Sequence, residues 1–220
     1  MAATNKETGE RIFHAALELF RTRGFENATM RDVAQSAGVA TGAAYYYYPS
    51  KDAIVLEFYR RASEEMEAKL EDAVTGAGRF ENRLRNLILV KLDHFRPNRN
   101  ILRALLRSGA DPAHLLSPFS TETKQIRDAD IAWFRRILSD SSIAIPRGLE
   151  PALPGILWFF QMGVIFFWVI DDSPEQRRTT ELLELSVKVV ARLLRVSALP
   201  FMRPVRKTAL QIAALVSEAV

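Results

Sequence analysis

The chain has 220 residues, 48% of them apolar and 25% charged, which is typical of a folded globular protein and excludes a disordered one. It contains no cysteine, so disulfides, thiolate metal sites and cysteine nucleophiles are excluded. A chain without disulfides is typical of the reducing cytoplasm. The formal net charge of +4 does not by itself indicate nucleic-acid binding, because residues 1–51 hold six basic and five acidic side chains.

The first predicted element is an amphipathic helix that ends before Gly24. Thr4 and Glu7 have the spacing of a capping box, and Gly24 can end the helix in a left-handed turn. The apolar side chains repeat every three or four residues and therefore share one helix face. This face consists of Ile12, Ala15, Ala16, Leu19 and Phe20.

Two short helices are predicted next. Thr29 and Asp32 have the spacing of a second capping box, which opens a helix that Gly38 ends. Another short helical segment follows over residues 41–48, and Pro49 stops it because proline cannot continue a helix. The first part of the chain therefore predicts one long helix and two short ones.

The rest of the chain predicts further helices and no strand, and hence an all-α fold. Ser50 can cap a long helix, and Gly76–Gly78 is the predicted boundary between an N-terminal head and a larger body. Ser173 and Pro174 predict the start of a final long helix. Apolar faces are predicted at Leu84, Leu87, Ile88, Leu92 and Phe95, at Ile101, Leu102, Leu105 and Leu106, at Ile126, Ala129, Trp133 and Ile137, and at Leu182, Ser186, Val189, Val190, Leu193 and Leu194.

The segment from Gly155 to Ile170 has the composition of a membrane span but not the length. Crossing a bilayer takes about 20 apolar residues, and this segment is shorter, with Gln161 at its centre. No basic anchors follow it, because Asp171 and Asp172 close it. We therefore expect a buried helix and no membrane association.

The order and lengths of the first elements predict a helix-turn-helix. The two short helices, of roughly eight and seven residues, cannot bury their apolar sides alone and need the long first helix as a surface. The second short helix is then displayed for the major groove of DNA. Gly42 allows close approach of the backbone, Thr41 can bind phosphate, and Ala40 and Ala43 can contact thymine methyl groups.

Four consecutive tyrosines, residues 45–48, close this second short helix. A helix points successive side chains about 100° apart, so the four cannot all have one role. We expect two of them to face DNA and two to pack inward.

The residues around these helices resemble the N-terminal signature of the TetR family of bacterial repressors. The resemblance covers about residues 8–60. It is carried by Gly24, Phe25, Ala28, Thr29, Met30, Arg31, Asp32, Val33, Ala34, Ala37, Gly38, Val39, Gly42, Tyr45, Tyr46, Tyr47, Tyr48, Pro49, Ser50, Lys51 and Asp52.

Position by position, the resemblance adds contacts to those expected from the residues themselves. Thr29, Tyr45 and Lys51 match phosphate-contacting positions, Arg31 matches a variable contact, and Tyr47 replaces a frequent histidine. The predicted DNA-binding residues are Thr29, Arg31, Ala40, Thr41, Gly42, Ala43, Tyr45, Tyr46, Tyr47 and Lys51. Ala44 is smaller than the leucine often found there, so we expect Tyr46 or Tyr48 to fill the space.

The body is expected to dimerise and to bind a small molecule. The helices near 155–170 and 174–196 are the predicted dimer elements, because the first is apolar almost all round. The resemblance implies a ligand cavity that, when occupied, shifts the helix starting near Ser50. Candidate ligand-binding residues are Phe95, Arg103, Trp133, Trp158 and Met162.

Two clusters of polar residues in the body have alternative interpretations. Arg103 belongs to a stripe with Arg99 and Arg107 that can receive an acidic ligand or form an ordinary solvated face. His94 and His114 lie near aspartates, but two histidines in loosely defined surroundings do not predict a metal site.

These features predict a cytoplasmic transcription regulator that is not an enzyme and needs no cofactor. We assign residues 1–52 to a DNA-binding domain and 53–220 to a ligand-binding and dimerisation domain. The expected action is repression from a palindromic operator, bound as a homodimer and released by a small hydrophobic ligand. The alternatives are a helical binding protein or enzyme with a vestigial head, and a nonspecific nucleoid-type DNA binder, which the nearly neutral head disfavours.

Overall fold

The computed structural model describes residues 2–76, 78–108, 111, 113–199, 207–208 and 211. The regular elements in these ranges are all helical, which confirms the all-α prediction. The α-helices are α1 Ala2–Thr22, α2 Met30–Ser36, α3 Thr41–Tyr47, α4 Lys51–Thr75, α5 Phe80–Phe95, α6 Arg99–Ser108, α7 Lys124–Ser139, α8 Leu153–Ile170 and α9 Arg177–Ser197. Two 3-10 turns, Arg96–Asn98 and Pro174–Gln176, precede α6 and α9.

The chain forms two compact units, each with its own core. The first unit holds Met1–Ala62 and Arg96–Lys124, and the second holds Ser63–Phe95 and Gln125–Val220. In the first unit α1 packs against both α2 and α3, which also pack against each other. Of the predicted apolar face of α1, Ile12, Ala16 and Phe20 are fully buried. Val33 of α2 and Ala44 of α3 are fully buried as well.

The predicted caps of the first unit are present, with one exception. The Thr29 hydroxyl accepts from the Asp32 amide at 3.1 Å, and the Asp32 carboxylate accepts from the Thr29 amide at 2.9 Å. Hydrogen bonds from Thr29 lower the pKa of Asp32 below its usual value. Gly24 has a φ of +85°, and the Ser50 hydroxyl accepts from the Ala53 amide. α1, however, begins before Thr4, whose side chain lies outside the part of the chain that is described.

The predicted apolar faces of α7 and α9 are wrong in part. On α7 the buried side chains are Arg127, Phe134, Ile137 and Leu138, whereas Ala129 is exposed. On α9 the buried stripe is Thr179, Leu183, Val187, Ala191 and Leu194. Of the predicted face of α9, Leu194 is buried, whereas Leu182, Val189 and Leu193 are exposed. Helical periodicity finds both apolar stripes of α9 but does not tell which one faces the protein's own core.

The predicted start of the last helix is also wrong. Pro174 begins a 3-10 turn in which Glu175 and Gln176 have positive φ values of 52° and 49°, and α9 begins only at Arg177. The buried Asp171 carboxylate caps this start. It accepts hydrogen bonds from the Thr179 amide at 2.9 Å, the Thr179 hydroxyl at 2.7 Å and the Ser173 amide at 3.0 Å.

We expect Asp171→Ala to lower the free energy of unfolding by about 2 kcal/mol at neutral pH, because the mutation leaves buried donors unpaired. Burial raises the pKa of Asp171, but the hydrogen bonds from Thr179 and Ser173 lower it further, so the net pKa lies well below its usual range. This stabilisation is therefore complete above about pH 4 and declines as the pH falls below that value. Urea denaturation at pH 7 and pH 3 checks it, with Asp172→Ala as the exposed control. Equal stability of the two variants at pH 7 would contradict the capping role.

α8 is, by length and composition alone, a helix that could cross a membrane, and it is the one such helix in the ranges described. Its central Gln161 is buried and is hydrogen-bonded to Asp130. Leu157, Trp158 and Trp168 on the same helix are buried as well. This arrangement favours the core helix that the sequence predicts.

Candidate nucleic-acid interface

The N-terminal end of α3 presents small side chains to solvent. Gly38 has a φ of +66°, a conformation that favours glycine, and so allows the tight turn between α2 and α3. Ala40, Thr41 and Gly42 are exposed, Ala43 is half-buried, and only Ala44 is fully buried against the first unit. The backbone at this end of α3 is therefore open to close approach by another molecule.

The tyrosine run divides into two exposed and two half-buried side chains, as expected. Tyr45 is 50% exposed and Tyr46 is 77% exposed. Tyr47 packs its ring next to Gly9, where a Cβ atom would lie 3.2 Å from it, and its ring meets that of Tyr46 edge-on. Burial raises the pKa of the half-buried Tyr48. Of the two candidates for the space beside Ala44, Tyr46 is wrong, because a backbone that buries Ala44 turns Tyr46 outward, and the half-buried Tyr48 stays a prediction.

Thr29 and Arg31 lie on the exposed surface at the start of α2. The Thr29 hydroxyl both donates to the Asp32 carboxylate at 2.5 Å and accepts from the Asp32 amide. This hydroxyl is thus held in a fixed position by the cap. A DNA contact from either residue stays a prediction.

Lys51 has a structural role that the sequence did not reveal. Its ammonium group donates to the Phe25 carbonyl at 2.7 Å and lies 4.6 Å from the centre of the Phe25 ring. The first residue of α4 is therefore attached to the turn that follows α1. A lysine at the start of a helix is usually a solvent-exposed side chain, so the sequence gives no signal that Lys51 contacts Phe25.

A second attachment joins α4 to α1 through Arg61. Its guanidinium donates to both Glu10 carboxylate oxygens at 2.6 and 2.8 Å, and its Nε donates to Glu57 at 2.6 Å. The same group lies 4.1 Å from the centre of the Phe13 ring. These hydrogen bonds lower the pKa of Glu10. Lys51 and Arg61 together attach the N-terminal half of α4 to α1 and to the turn that follows α1.

The candidate ligand residues do not all belong to one unit. Phe95, Trp133, Trp158 and Met162 lie in the second unit, where α5 packs against α8, and Trp158 is buried. Trp133 is half-buried, with the Arg136 guanidinium 5.3 Å from its ring centre. Arg103 is exposed and belongs to the first unit.

The second unit also holds a buried polar network that the sequence analysis missed. Lys91 on α5 donates to the Asp130 carboxylate on α7 and, at 2.6 Å, to the Gln161 side-chain oxygen on α8. The Gln161 amide donates to the other Asp130 oxygen at 2.7 Å. A signal was present, because Lys91 shares the apolar face of α5 with Ile88, and Gln161 interrupts an apolar helix.

The described residues contain no group of three potential metal ligands among His, Asp and Glu. His94 faces Glu65 at 3.7 Å in the second unit, and burial lowers the pKa of His94. His114, in the first unit, accepts a hydrogen bond from the Leu116 amide. The two histidines therefore have separate local partners.

Known proteins are similar to this chain over both its parts. Residues 12–58 match the family described as bacterial regulatory proteins of the tetR family, and residues 83–208 match the tetracyclin repressor-like C-terminal domain. The HTH-type transcriptional regulator TtgW of Pseudomonas putida is 31% identical over 52% of this chain and 84% of its own length. The repressor KstR of Mycolicibacterium smegmatis is 35% identical over 40% of this chain, and less than half of that relative, 43%, is covered.

Solved structures show the same fold. A TetR regulator from Nitrosomonas europaea has a TM-score of 0.62 at 21% identity and covers 84% of this chain and 98% of its own. The fatty acid degradation regulator FadR from Bacillus halodurans has a TM-score of 0.59 at 16% identity, with 84% and 97% covered. The families matched are transcription regulators and not enzymes. The chain belongs to the TetR family of bacterial transcriptional regulators.

Proposed function

We propose that the protein is a cytoplasmic repressor that binds a palindromic operator as a homodimer and is released by a small hydrophobic ligand. The observation that carries the proposal is the exposed N-terminal end of α3, where Ala40, Thr41 and Gly42 leave the backbone open and Tyr45 and Tyr46 point into solvent. The naming of the relative KstR as a repressor favours repression over activation.

The DNA contacts come from two groups of residues in this proposal. Small side chains on α3 allow close approach to base edges and thymine methyl groups, and hydroxyl and basic side chains bind phosphate. The first group is Ala40, Gly42 and Ala43. The second group is Thr29, Arg31, Thr41, Tyr45, Tyr46, Tyr47 and Lys51. Few of these side chains can form paired hydrogen bonds to bases, so DNA shape contributes to recognition.

The homodimer is supported by exposed apolar stripes on α8 and α9. On α9 these side chains recur at intervals of three or four residues, and on α8 at intervals of three, seven and four, as they do along a helix-packing face. The α8 stripe consists of Ile156, Phe159, Phe166 and Ile170, and the α9 stripe consists of Leu182, Leu185, Val189, Leu193 and Val196. Two apolar stripes of this length on neighbouring helices of a soluble regulator fit a second copy of the same face.

We assign residues 1–52 to DNA binding and residues 53–220 to ligand binding and dimerisation. The compact units divide the chain differently, because Ala53–Ala62 and Arg96–Lys124 group with the first three helices. The functional boundary is placed at the start of α4, because the candidate DNA contacts end at Lys51.

Selection of duplexes from a random-sequence library tests the proposal. We expect enrichment of an inverted repeat, and tight binding of that duplex in a fluorescence-anisotropy titration with unrelated DNA as competitor. Equal binding of all sequences would favour a nucleoid-type protein. No DNA binding by a folded protein would favour the binding protein with a vestigial head.

The exposed tyrosine hydroxyls provide a test of the DNA contacts. We expect the double variant Tyr45→Phe/Tyr46→Phe to weaken binding of the selected duplex by about thirtyfold, since two hydrogen bonds are lost and each costs about 1 kcal/mol. Its thermal stability should not change, because both side chains are exposed. Tyr48→Phe, which changes a half-buried ring of the same run, is the control and should keep full affinity. Equal affinity of all three proteins would remove these hydroxyls from the interface.

A further inference from the structure

The strongest feature outside the DNA-binding surface is the buried network of Lys91, Asp130 and Gln161, which joins α5, α7 and α8. The Lys91 side chain is 4% exposed and Gln161 is 1% exposed, whereas the Asp130 side chain is 23% exposed. The Phe134 ring centre lies 5.0 Å from the Lys91 nitrogen. Lys91 is the one lysine among the buried side chains of the ranges described.

Stability alone does not account for this network. Removing two charges from water costs several kcal/mol per ion, and apolar side chains of similar volume usually replace a buried ion pair with no loss. Burial accordingly lowers the pKa of Lys91, and the neighbouring Asp130 carboxylate opposes this effect. A buried ammonium therefore needs a carboxylate beside it, and this need makes it a selective receptor for one.

The partners of Lys91 are not equally fixed. Asp130 reaches solvent, so its carboxylate can turn into water and regain its hydration, whereas the Lys91 ammonium cannot. Gln161 contributes one acceptor to Lys91 and one donor to Asp130. If a second carboxylate replaced that of Asp130, both Lys91 and Gln161 would keep every hydrogen bond, and the charge of the buried site would not change.

We propose that Lys91 and Gln161 form the receptor for the carboxylate of an otherwise apolar effector, which displaces Asp130 as the counter-ion of Lys91. The inference rests on the proposed function, because it names the class of ligand that releases the DNA. One carboxylate oxygen of the effector accepts from Lys91, and the other accepts from the Gln161 amide.

The residues next to the network in space or along its helices are apolar, as the apolar part of such a molecule requires. Phe134 lies beside Lys91, Phe95 follows Lys91 by one turn of α5, and the buried Trp158 precedes Gln161 by one turn of α8. The exposed Arg103, considered above as a receptor for an acid, lacks this enclosure. A charge pair is far stronger at a buried site than at an exposed one, because water screens it less.

Calorimetric titration of the whole 220-residue chain tests the receptor. The probes are octanoate and 3-phenylpropionate, compared with the neutral 1-octanol and the cationic octylamine. We expect the acids to bind about tenfold or more tightly than the other two. Asp130→Asn should tighten octanoate binding by about tenfold because it removes the competing carboxylate, whereas Lys91→Met should weaken it by about tenfold or more. Lys69→Met, at an exposed lysine of the same unit, should leave it unchanged.

The opposite effects of the two variants distinguish a receptor from a purely structural network, for which neither variant would alter the preference for acids. Should Lys91→Met not fold, the probe series and Asp130→Asn still decide. No binding of either acid, equal binding of the alcohol, or weaker binding by Asp130→Asn would overturn the proposal. Anisotropy with the selected duplex, without any probe, tests DNA binding separately, so a failure of either idea is recognised by itself.

Discussion

Charging the apolar stripe of α9 with Leu185→Glu/Leu193→Glu converts the protein to a monomer with at least about a hundredfold weaker operator binding. Burying one leucine contributes about 1.5–3 kcal/mol. In a two-fold symmetric interface each of these leucines is buried in both copies, so its contribution counts two times. Glutamates at the same positions also have to be desolvated next to their copies. A single head makes too few contacts for tight binding, so loss of the dimer removes the operator complex as well.

Sedimentation velocity and anisotropy with the selected duplex check this result. Because Leu185 and Leu193 are 64% and 62% exposed in a single chain, the monomer should remain folded by circular dichroism. Thr180→Glu places the same charge at an exposed position on the same helix, outside the stripe, and should leave a dimer with full affinity. A dimeric double variant would show that another surface joins the two copies.

Gly42→Ala stabilises the folded protein and weakens its operator complex. Gly42 lies in α3 with no positive φ, and a Cβ atom there would meet nothing within 4 Å. Alanine in an exposed helix is more favourable than glycine by about 1 kcal/mol, so the free energy of unfolding should rise by that amount. The same methyl group would separate the α3 backbone from the DNA, and we expect about a tenfold to hundredfold loss of affinity.

Urea denaturation and anisotropy measure the two effects on the same protein. Gly76→Ala adds the same methyl group in open space beyond the end of α4 and should leave DNA affinity unchanged. Opposite signs of the two effects at Gly42 cannot arise from damage to the fold. Undiminished affinity of Gly42→Ala would show that α3 does not approach DNA through this position.

The parts of the fold that depend on local chemistry could be predicted from the sequence. The capping box of Thr29, the left-handed conformation of Gly24 and the cap of Ser50 each follow from side chains within a few residues of one another. The resemblance to the TetR family is confirmed by matches over both parts of the chain.

The errors arose where distant parts of the chain decide the outcome. Which stripe of α9 is buried depends on α5 and α8, which pack against it, and not on its own periodicity. Asp171 replaced Ser173 as the main cap of α9 because its carboxylate reaches forward to Thr179. The contacts of Lys51 with Phe25 join residues far apart in sequence.

The sequence predicts the candidate DNA contacts from their positions in the chain, and the structure shows which of these side chains are exposed. Thr41, Gly42, Tyr45 and Tyr46 are all accessible on α3, as a reading surface requires. Tyr47 is less accessible than its place in the family signature implied, because its ring packs beside Gly9. We therefore expect Tyr45 and Tyr46 to contribute more to DNA binding than Tyr47.

The central claim is that two copies of the head read a two-fold symmetric site, and a hydroxyl-radical footprint on the selected duplex tests it most directly. We predict two protected patches on one face of the DNA, with centres about 34–36 Å apart, each aligned with one half of an inverted repeat. The Leu185→Glu/Leu193→Glu variant should leave both patches unprotected. A single protected patch, or uniform protection along the duplex, would contradict the claim.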